Sequence, residues 1–242
     1  MLNNPTIAKL NELNLKGMVE GFITQLESSQ YSNLSFEERF SLLVDLECSN
    51  RENKRFNTRL NGAKLRHKAT IEDIDFHLNR GLIKSQIMNL ASSTWVSLNQ
   101  NILINGPTGV GKSYLGCALG FSAIKNGYSV LYKRCTRLFG ELTVARADGR
   151  YHKVLQQLLR TELLIIDDFG INTLGGNEAV DLMEVLEDRS ERRSTLVTSQ
   201  LPVKEWHHVI DDQTIGDAIM DRLTHNAHII NLHGESMRKM KK

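Results

Sequence analysis

Residues 106–113 read Gly-Pro-Thr-Gly-Val-Gly-Lys-Ser, which satisfies G-x-x-x-x-G-K-[ST] at every position. The chemistry such a run can do is to hold a polyphosphate. Glycines let successive backbone N–H groups turn toward an anion, and the N-terminus of the following helix adds partial positive charge. Gly106, Pro107, Thr108, Gly109, Val110 and Gly111 are the expected cradle, Lys112 the cation for the β- and γ-phosphates, and Ser113 and Tyr114, at the start of the helix, complete the expected nucleotide-binding set. The Ser113 hydroxyl is a hard oxygen ligand suited to Mg²⁺. Further on, Leu163-Leu164-Ile165-Ile166-Asp167-Asp168 is an apolar run ending in two carboxylates. Ligands of parallel sheets bind beyond the carboxyl ends of the strands. Asp167 is therefore expected to hold the Mg²⁺ shell and Asp168 to polarise an attacking water. A third run, Thr195-Leu196-Val197-Thr198, ends in Ser199-Gln200. Ser199 is a candidate for reaching the γ-phosphate or the water, although the stretch reads equally as a strand-to-loop transition before Pro202. ATP and Mg²⁺ are the expected cofactors. Hydrolysis is preferred over transfer, because no second cluster could build a lid and an acceptor pocket.

Those residues need strands to carry them. From about residue 99, short apolar runs alternate with amphipathic segments. Ile102-Leu103-Ile104 precedes the glycine loop, and a helix over 112–125 follows it. Then come Val130-Leu131-Tyr132, a long helical stretch at 136–160, the Leu163 run and a helix over 177–192. The Thr195 run, a helix near 215–225 and a strand over 229–232 complete the series. Such alternation predicts an α/β domain with a mostly parallel sheet covered on both faces. Residues 1 to about 95 read as helical. Leu15, Met18, Phe22 and Leu26 form a stripe at helical spacing. Ser35 and Glu38 form a capping box before Phe36, Phe40, Leu43 and Val44, a helix that can run to Asn61-Gly62. Thr70 to Asp73 looks like another helix start, and Ile83, Ile87 and Leu90 give a third periodic segment. The division expected is thus a helical domain over 1–95 and an ATPase domain over 96–242.

Composition excludes several classes. The chain has 242 residues with 30 basic against 28 acidic side chains, so no global field announces nucleic acid and any basic footprint is local. Three prolines and 40% hydrophobic content belong to an ordered protein rather than a disordered tail. No apolar run approaches the roughly 18–20 residues that cross a bilayer. The start of the chain has no apolar signal-peptide core, so a cytoplasmic protein with no membrane partner is expected. Cys48, Cys117 and Cys135 are far apart and read as reduced thiols. His207 and His208 beside Trp206 read as a loop with a packed indole.

Beyond the glycine loop, LLIIDDFG, TLVTSQLPVKEWH, DAIMDRLTHNAH and the closing GESMRK together resemble the IstB-type ATPases, transposition helper proteins of bacterial insertion sequences. That family is similar to DnaC-type helicase loaders and DnaA-type initiators within the AAA+ ATPases. The resemblance covers nearly the whole chain, including Ile74-Asp75-Phe76 just before the core. It implies an AAA+ P-loop core with a five-stranded sheet. It also implies that Arg222 is an arginine finger acting on a neighbouring subunit's ATP, and that Arg238 is a sensor arginine touching the γ-phosphate in cis. Guanidinium groups are always charged and grip phosphate in a fork, which suits both roles. Two departures stand out. The acidic pair is Asp-Asp where many AAA+ proteins have Asp-Glu, which predicts slow hydrolysis. Few residues follow Leu232, so no C-terminal lid domain is expected.

The segment from Arg51 to Lys68 holds seven basic residues, Arg51, Lys54, Arg55, Arg59, Lys64, Arg66 and Lys68, against the single acid Glu52. On a helix Arg51, Arg55 and Arg59 align at i, i+4, i+8, a row that could follow a phosphate backbone or dock a protein. Lys133, Arg134 and Arg137 form a second candidate DNA contact, at the edge that faces the channel in related assemblies. The resemblance implies an ATPase stimulated by DNA and self-assembly, which oligomerises on double-stranded DNA and assists a cognate transposase in target selection. A DnaC-like helicase loader and an ATP-gated DNA scaffold with incidental hydrolysis are the alternatives.

Overall fold

The computed structural model describes residues 5–237, and packing divides the chain into two units that meet in sequence at Thr58 and Arg59. The change of texture near residue 95 and this division fall at different places. The first unit holds α1 (Pro5–Glu12), α2 (Lys16–Glu27) and most of α3 (Phe36–Ala63). The capping box that starts α3 is made. The Ser35 N–H donates to Glu38 Oε2 at 2.7 Å, and the Glu38 N–H donates to Ser35 Oγ at 3.2 Å. The expected apolar faces are only partly buried. Leu43 is buried, but Phe36, Phe40 and Val44 are exposed, with the two phenylalanine rings stacked on each other at 5.9 Å. What α3 meets instead is the glycine face of α2. A Cβ on Gly17 would lie 2.5 Å from the Leu46 carbonyl oxygen, so only glycine lets the two backbones approach this closely.

Glu47 is the polar counterpart of that contact. Its buried carboxylate accepts the Gly17 N–H at 2.8 Å and the Met18 N–H at 3.3 Å, which satisfies the open first turn of α2. Arg51 Nε donates to the same carboxylate at 2.6 Å. Arg51, followed by the two amides, holds the Glu47 carboxyl below the usual value of 4.5. A depressed carboxyl pKa contributes stability that is complete above the unfolded value and is lost as pH falls through the folded one. Helicity is thus expected to melt at lower temperature on acidification below about pH 4.5. Circular-dichroism melts at pH 7 and pH 4 check this. Glu47→Gln should show the smaller shift between the two, and equal shifts would remove Glu47 as the cause.

The second unit is built on β1 (Asn101–Asn105), β2 (Val130–Arg134), β3 (Leu163–Phe169), β4 (Ser194–Ser199) and β5 (Ala227–Asn231). They form one five-stranded sheet in the order β2-β3-β4-β1-β5, with every neighbouring pair parallel. Its helices are α4 (Lys84–Ala91), α5 (Thr94–Ser97), α6 (Lys112–Lys125), α7 (Cys135–Ala147), α8 (Tyr151–Arg160), α9 (Asn177–Arg189) and α10 (Gln213–Thr224). Alternate strand residues go to opposite faces. Leu103, Leu131, Leu164, Ile166 and Val197 join the core that includes Leu138, Phe139, Leu182, Trp206 and Ile219. The other set, Ile165 and Leu196 among them, meets α6. There Gly120 allows close approach, since a Cβ would sit 2.7 Å from Ile165 Cδ1. Residues 59–95 pack in this unit, with Ala63, Ala69, Ile71, Ile74, Ile87, Leu90 and Trp95 all buried.

Two sequence expectations change. The stretch 136–160 is two helices, because Gly149 at φ +76 turns the chain between α7 and α8. No helix starts at Thr70. Its hydroxyl donates to the Asp73 carboxylate at 2.8 Å rather than accepting a backbone N–H, so the first turn is not nucleated. Among the described residues no helix is long and apolar enough to cross a membrane.

Candidate active site

The glycine loop joins β1, an interior strand between β4 and β5, to α6, as its spacing predicts. Gly106, Gly109 and Gly111 have φ of +145, +86 and +102, values a side chain rarely adopts. Space also demands glycine. A Cβ on Gly106 would lie 2.2 Å from the Leu232 carbonyl oxygen, and one on Gly109 would lie 2.1 Å from Ser236 Oγ. The segment after β5 therefore runs along the loop, with the Leu232 N–H donating to the Asn105 carbonyl at 2.8 Å and the Met237 N–H to that of Gly109 at 2.9 Å. Val110 is buried, while Pro107 and Thr108 are exposed. On another side Arg80 Nη2 donates to the Asp75 carbonyl at 2.6 Å and Nη1 approaches that of Val110 at 3.4 Å. The Ile74-Asp75-Phe76 stretch is thus tied to the loop through Arg80.

Lys112 is buried at the first position of α6, and its ammonium donates to the carbonyls of Gly106 at 2.7 Å and Pro107 at 2.8 Å. Ser113 follows it. The Tyr114 ring lies against that of His67, at 6.1 Å between centroids. Burial, then Asp73, raises the Tyr114 phenol above its usual range.

The acid pair ends β3. Residues of one parity share a face, so Tyr132, Ile165, Asp167 and Thr198 lie on the α6 side of β2, β3 and β4. Asp167 is wholly buried, and its carboxylate accepts the Tyr132 hydroxyl at 2.5 Å and the Thr198 hydroxyl at 2.5 Å. Burial, then the Asp167 carboxylate, holds the Tyr132 phenol well above its usual range, which keeps it a donor. The β3–β4 register shifts between Ile166 and Phe169, and Asp168 sits in the left-handed region at φ +65. That irregularity re-aims its side chain. Arg134 Nη2 and Nε donate to Asp168 Oδ2 at 2.7 and 3.1 Å, and the Asp168 N–H donates to Thr198 Oγ1 at 3.1 Å. Arg66 Nη1 stands 3.5 Å from Asp167 and 3.7 Å from Asp168.

The structure thus brings together some residues the sequence did not assign here. Ser199 is turned away: its hydroxyl donates to the Phe169 carbonyl at 2.7 Å and accepts the Leu201 N–H at 3.1 Å. Its neighbours face the site instead. Thr198 meets both acids, and Gln200 Oε1 accepts the Thr108 hydroxyl at 2.7 Å. Arg134 faces Asp168 rather than standing clear as a DNA contact, and Lys133 is paired with Glu141. Arg137 is exposed. In the expected basic row, Arg51 is paired with Glu47 and Arg59 donates to the Gly127 carbonyl at 2.8 Å, while Lys54 and Arg55 are exposed. Arg222, on α10, is paired with Glu187 and donates to the Ala218 carbonyl at 2.9 Å. Arg238 lies outside the described residues.

The donors fit the groups expected from sequence. A glycine cradle with positive φ, a buried ammonium at the helix start and exposed loop residues suit a polyphosphate. The Ser113 hydroxyl and the Asp167 carboxylate are hard oxygen donors of the kind Mg²⁺ takes, usually alongside substrate phosphates. Bound there, Mg²⁺ would supply charge neutralisation of the phosphates.

Residues 8–242 match the family described as IstB-like ATP binding protein. An insertion sequence ATP-binding protein of Sinorhizobium fredii, y4pL, is 46% identical over 239 residues, covering 99% of this chain and 98% of that protein. The insertion sequence IS1162 ATP-binding protein of Pseudomonas fluorescens is 42% identical over 84% of this chain and 88% of its own length. Among solved structures, DnaI aligns at TM-score 0.60 and 22% identity over 68% of this chain and 91% of its own. The DnaC helicase loader aligns at TM-score 0.54 and 16% identity, over 62% and 87%. These last two likenesses are of fold, and the fold is the AAA+ P-loop architecture expected from sequence.

Proposed function

The chain belongs to the IstB-like ATP-binding proteins, and from that premise we propose that it binds and hydrolyses ATP with Mg²⁺, assembles with its own copies on double-stranded DNA and assists a transposase. The observation that carries the nucleotide reading is that Lys112, on the glycine loop after β1, and the buried Asp167, on β3, lie at the same carboxyl edge of one parallel sheet, with β4 between their strands. In this reading the loop amides and Lys112 hold the phosphates, Ser113 and Asp167 hold the metal, and Asp168 orients water. Thr198 and Tyr132 fix Asp167 through the two hydroxyl hydrogen bonds. Arg222 acts in trans on a neighbouring copy, and its pairing with Glu187 keeps the guanidinium charge-compensated on the subunit's own surface. Arg238 acts in cis. Support for transposition over helicase loading comes from sequence, since relatives at 46% and 42% identity are named for insertion sequences while the loader likenesses are of fold alone. Lys54, Arg55, Lys64, Lys68 and Arg137 are exposed and are the remaining candidates for DNA phosphates.

The test is light scattering with duplex DNA, with and without ATP and Mg²⁺. Large assemblies are expected only when DNA and ATP are both present, and Arg222→Ala should bind ATP yet fail to assemble. A monomer under all conditions removes the assembly claim. Co-purification with a replicative helicase instead of a transposase moves the chain to the loader reading. A second reading, an ATP-gated scaffold with incidental hydrolysis, is favoured by one observation, the engagement of Asp168 by Arg134.

A further inference from the structure

We infer that Arg66 is a positioning residue of the acid pair, the exchangeable counter-charge that a divalent cation at Asp167 displaces. This rests on the nucleotide-site reading above. The sequence placed Arg66 in a basic run suited to DNA or a protein partner, yet its guanidinium stands between the two carboxylates at the end of β3. The segment that carries it is fixed. Lys64, at φ +55, turns the chain off α3, and Leu65 packs where a Cβ on Gly120 would come within 3.3 Å. The backbone of His67 and Arg66 runs beside the buried Cys117 thiol of α6. Ala63 and Ala69 on either side are buried.

Charge and geometry single out Arg66 as the mobile partner. Asp167 and Asp168 carry two negative charges, and Arg66 and Arg134 carry two positive ones. The four side chains by themselves are therefore balanced, and a divalent cation on Asp167, shared with the phosphates, competes with the guanidiniums for the same carboxylate. Like charges around one carboxylate oppose each other, so one guanidinium must yield. Arg134 is held to Asp168 by two hydrogen bonds of 2.7 and 3.1 Å. Arg66 lies 3.5 and 3.7 Å from the acids, an ion-pair separation too long for a strong hydrogen bond, and its side chain is 36% exposed. Burial works against the Arg66 charge, but the Tyr132 hydroxyl and the two carboxylates outweigh it, so the group remains a cation. A charged, exposed guanidinium on a fixed backbone can leave Asp167 without disturbing the fold.

The experiment is Mn²⁺ titration of the full chain by electron paramagnetic resonance, with a non-hydrolysable ATP analogue present. Arg66→Gln should bind Mn²⁺ about five- to tenfold more tightly than the native protein, the size expected for losing one partly screened competing charge. Arg66→Lys, which keeps the charge, should stay within about twofold of native. On the native protein, Mn²⁺ with the analogue should also raise the reactivity of Arg66 toward phenylglyoxal, mapped by mass spectrometry, so the proposal does not depend on a variant folding. Unchanged or weaker Mn²⁺ binding in Arg66→Gln, or unchanged Arg66 reactivity, overturns the proposal while leaving the nucleotide site intact. Failure of the native protein to bind Mn²⁺ with the analogue overturns the nucleotide-site reading, and this inference with it.

Discussion

Lys112→Ala is expected to weaken ATP binding by roughly 30- to 4,000-fold and to remove measurable hydrolysis, while leaving the fold in place. Truncating one partner of a buried, hydrogen-bonded charge pair costs about 2–5 kcal/mol, which is that range of affinity. The Lys112 ammonium is buried at the mouth of the loop and already points across it, donating to the Gly106 and Pro107 carbonyls. A polyphosphate seated on the loop amides would meet that charge without reorganisation, which is why removing it acts on binding before it acts on rate. The loop itself is held by contacts that do not involve Lys112. The Leu232 and Met237 amides bond its flanks, and Arg80 approaches Val110 from the other side. The melting temperature should accordingly move by only a few degrees. Lys112→Arg should not rescue binding, because a planar guanidinium cannot follow the same path under the loop. Titration with a fluorescent ATP analogue measures the effect. An affinity within threefold of native for Lys112→Ala would falsify the placement of the phosphates on this loop.

Where local chemistry and long-range packing agree, the sequence is readable. The glycine motif, the capping box at Ser35 and the alternation of apolar runs each predict an element that is present, because each depends on neighbours within a few residues. The failures share a different cause. Phe36 and Phe40 have helical spacing, but the face of α3 that is covered is chosen by Gly17 and Gly21 on α2, which permit backbone approach at Leu46. Thr70 has the right partner at Asp73, yet the hydroxyl is satisfied by the carboxylate and no helix follows. Gly149 carried the break in the 136–160 stretch and was readable as a C-cap signal.

The site divides the same way. Lys112, Asp167 and Asp168 follow from motif and strand-end position. Tyr132 and Thr198 do not, although parity contains them. Once β2, β3 and β4 are taken as parallel neighbours, Tyr132 is one strand across from Ile165 and Thr198 shares the face of Asp167. Choosing Ser199 over Thr198 as the polar contact is a one-residue slip, and in a strand that reverses the face. Arg66 and Arg134 carried no such signal. Charge clustering put Arg66 in a run suited to DNA or a protein partner and the family resemblance put Arg134 at a DNA-facing edge, whereas only the strand order and the turn after α3 bring them to the carboxylates.

Asp168→Asn is expected to slow hydrolysis by roughly 10²- to 10⁴-fold, the usual contribution of a positioned general base, with ATP affinity little changed. The substitution suits the backbone, since asparagine tolerates the left-handed conformation Asp168 adopts at φ +65. It also keeps an oxygen that Arg134 can bond, so the loss is of charge and basicity rather than of shape. Asp167 retains its Tyr132 and Thr198 hydroxyls, which separates the metal-holding role from the water-orienting one. The consequence for assembly distinguishes the two readings of function. If hydrolysis is a timer, assemblies of Asp168→Asn on duplex DNA should persist in ATP while the native protein releases them. If both dissociate at the same rate, hydrolysis is incidental and the protein acts as an ATP-gated scaffold. Phosphate release and light scattering followed on one sample decide between these outcomes. A native-like hydrolysis rate in Asp168→Asn would remove Asp168 from the chemistry altogether and leave its ion pair with Arg134 as a structural contact at the end of β3.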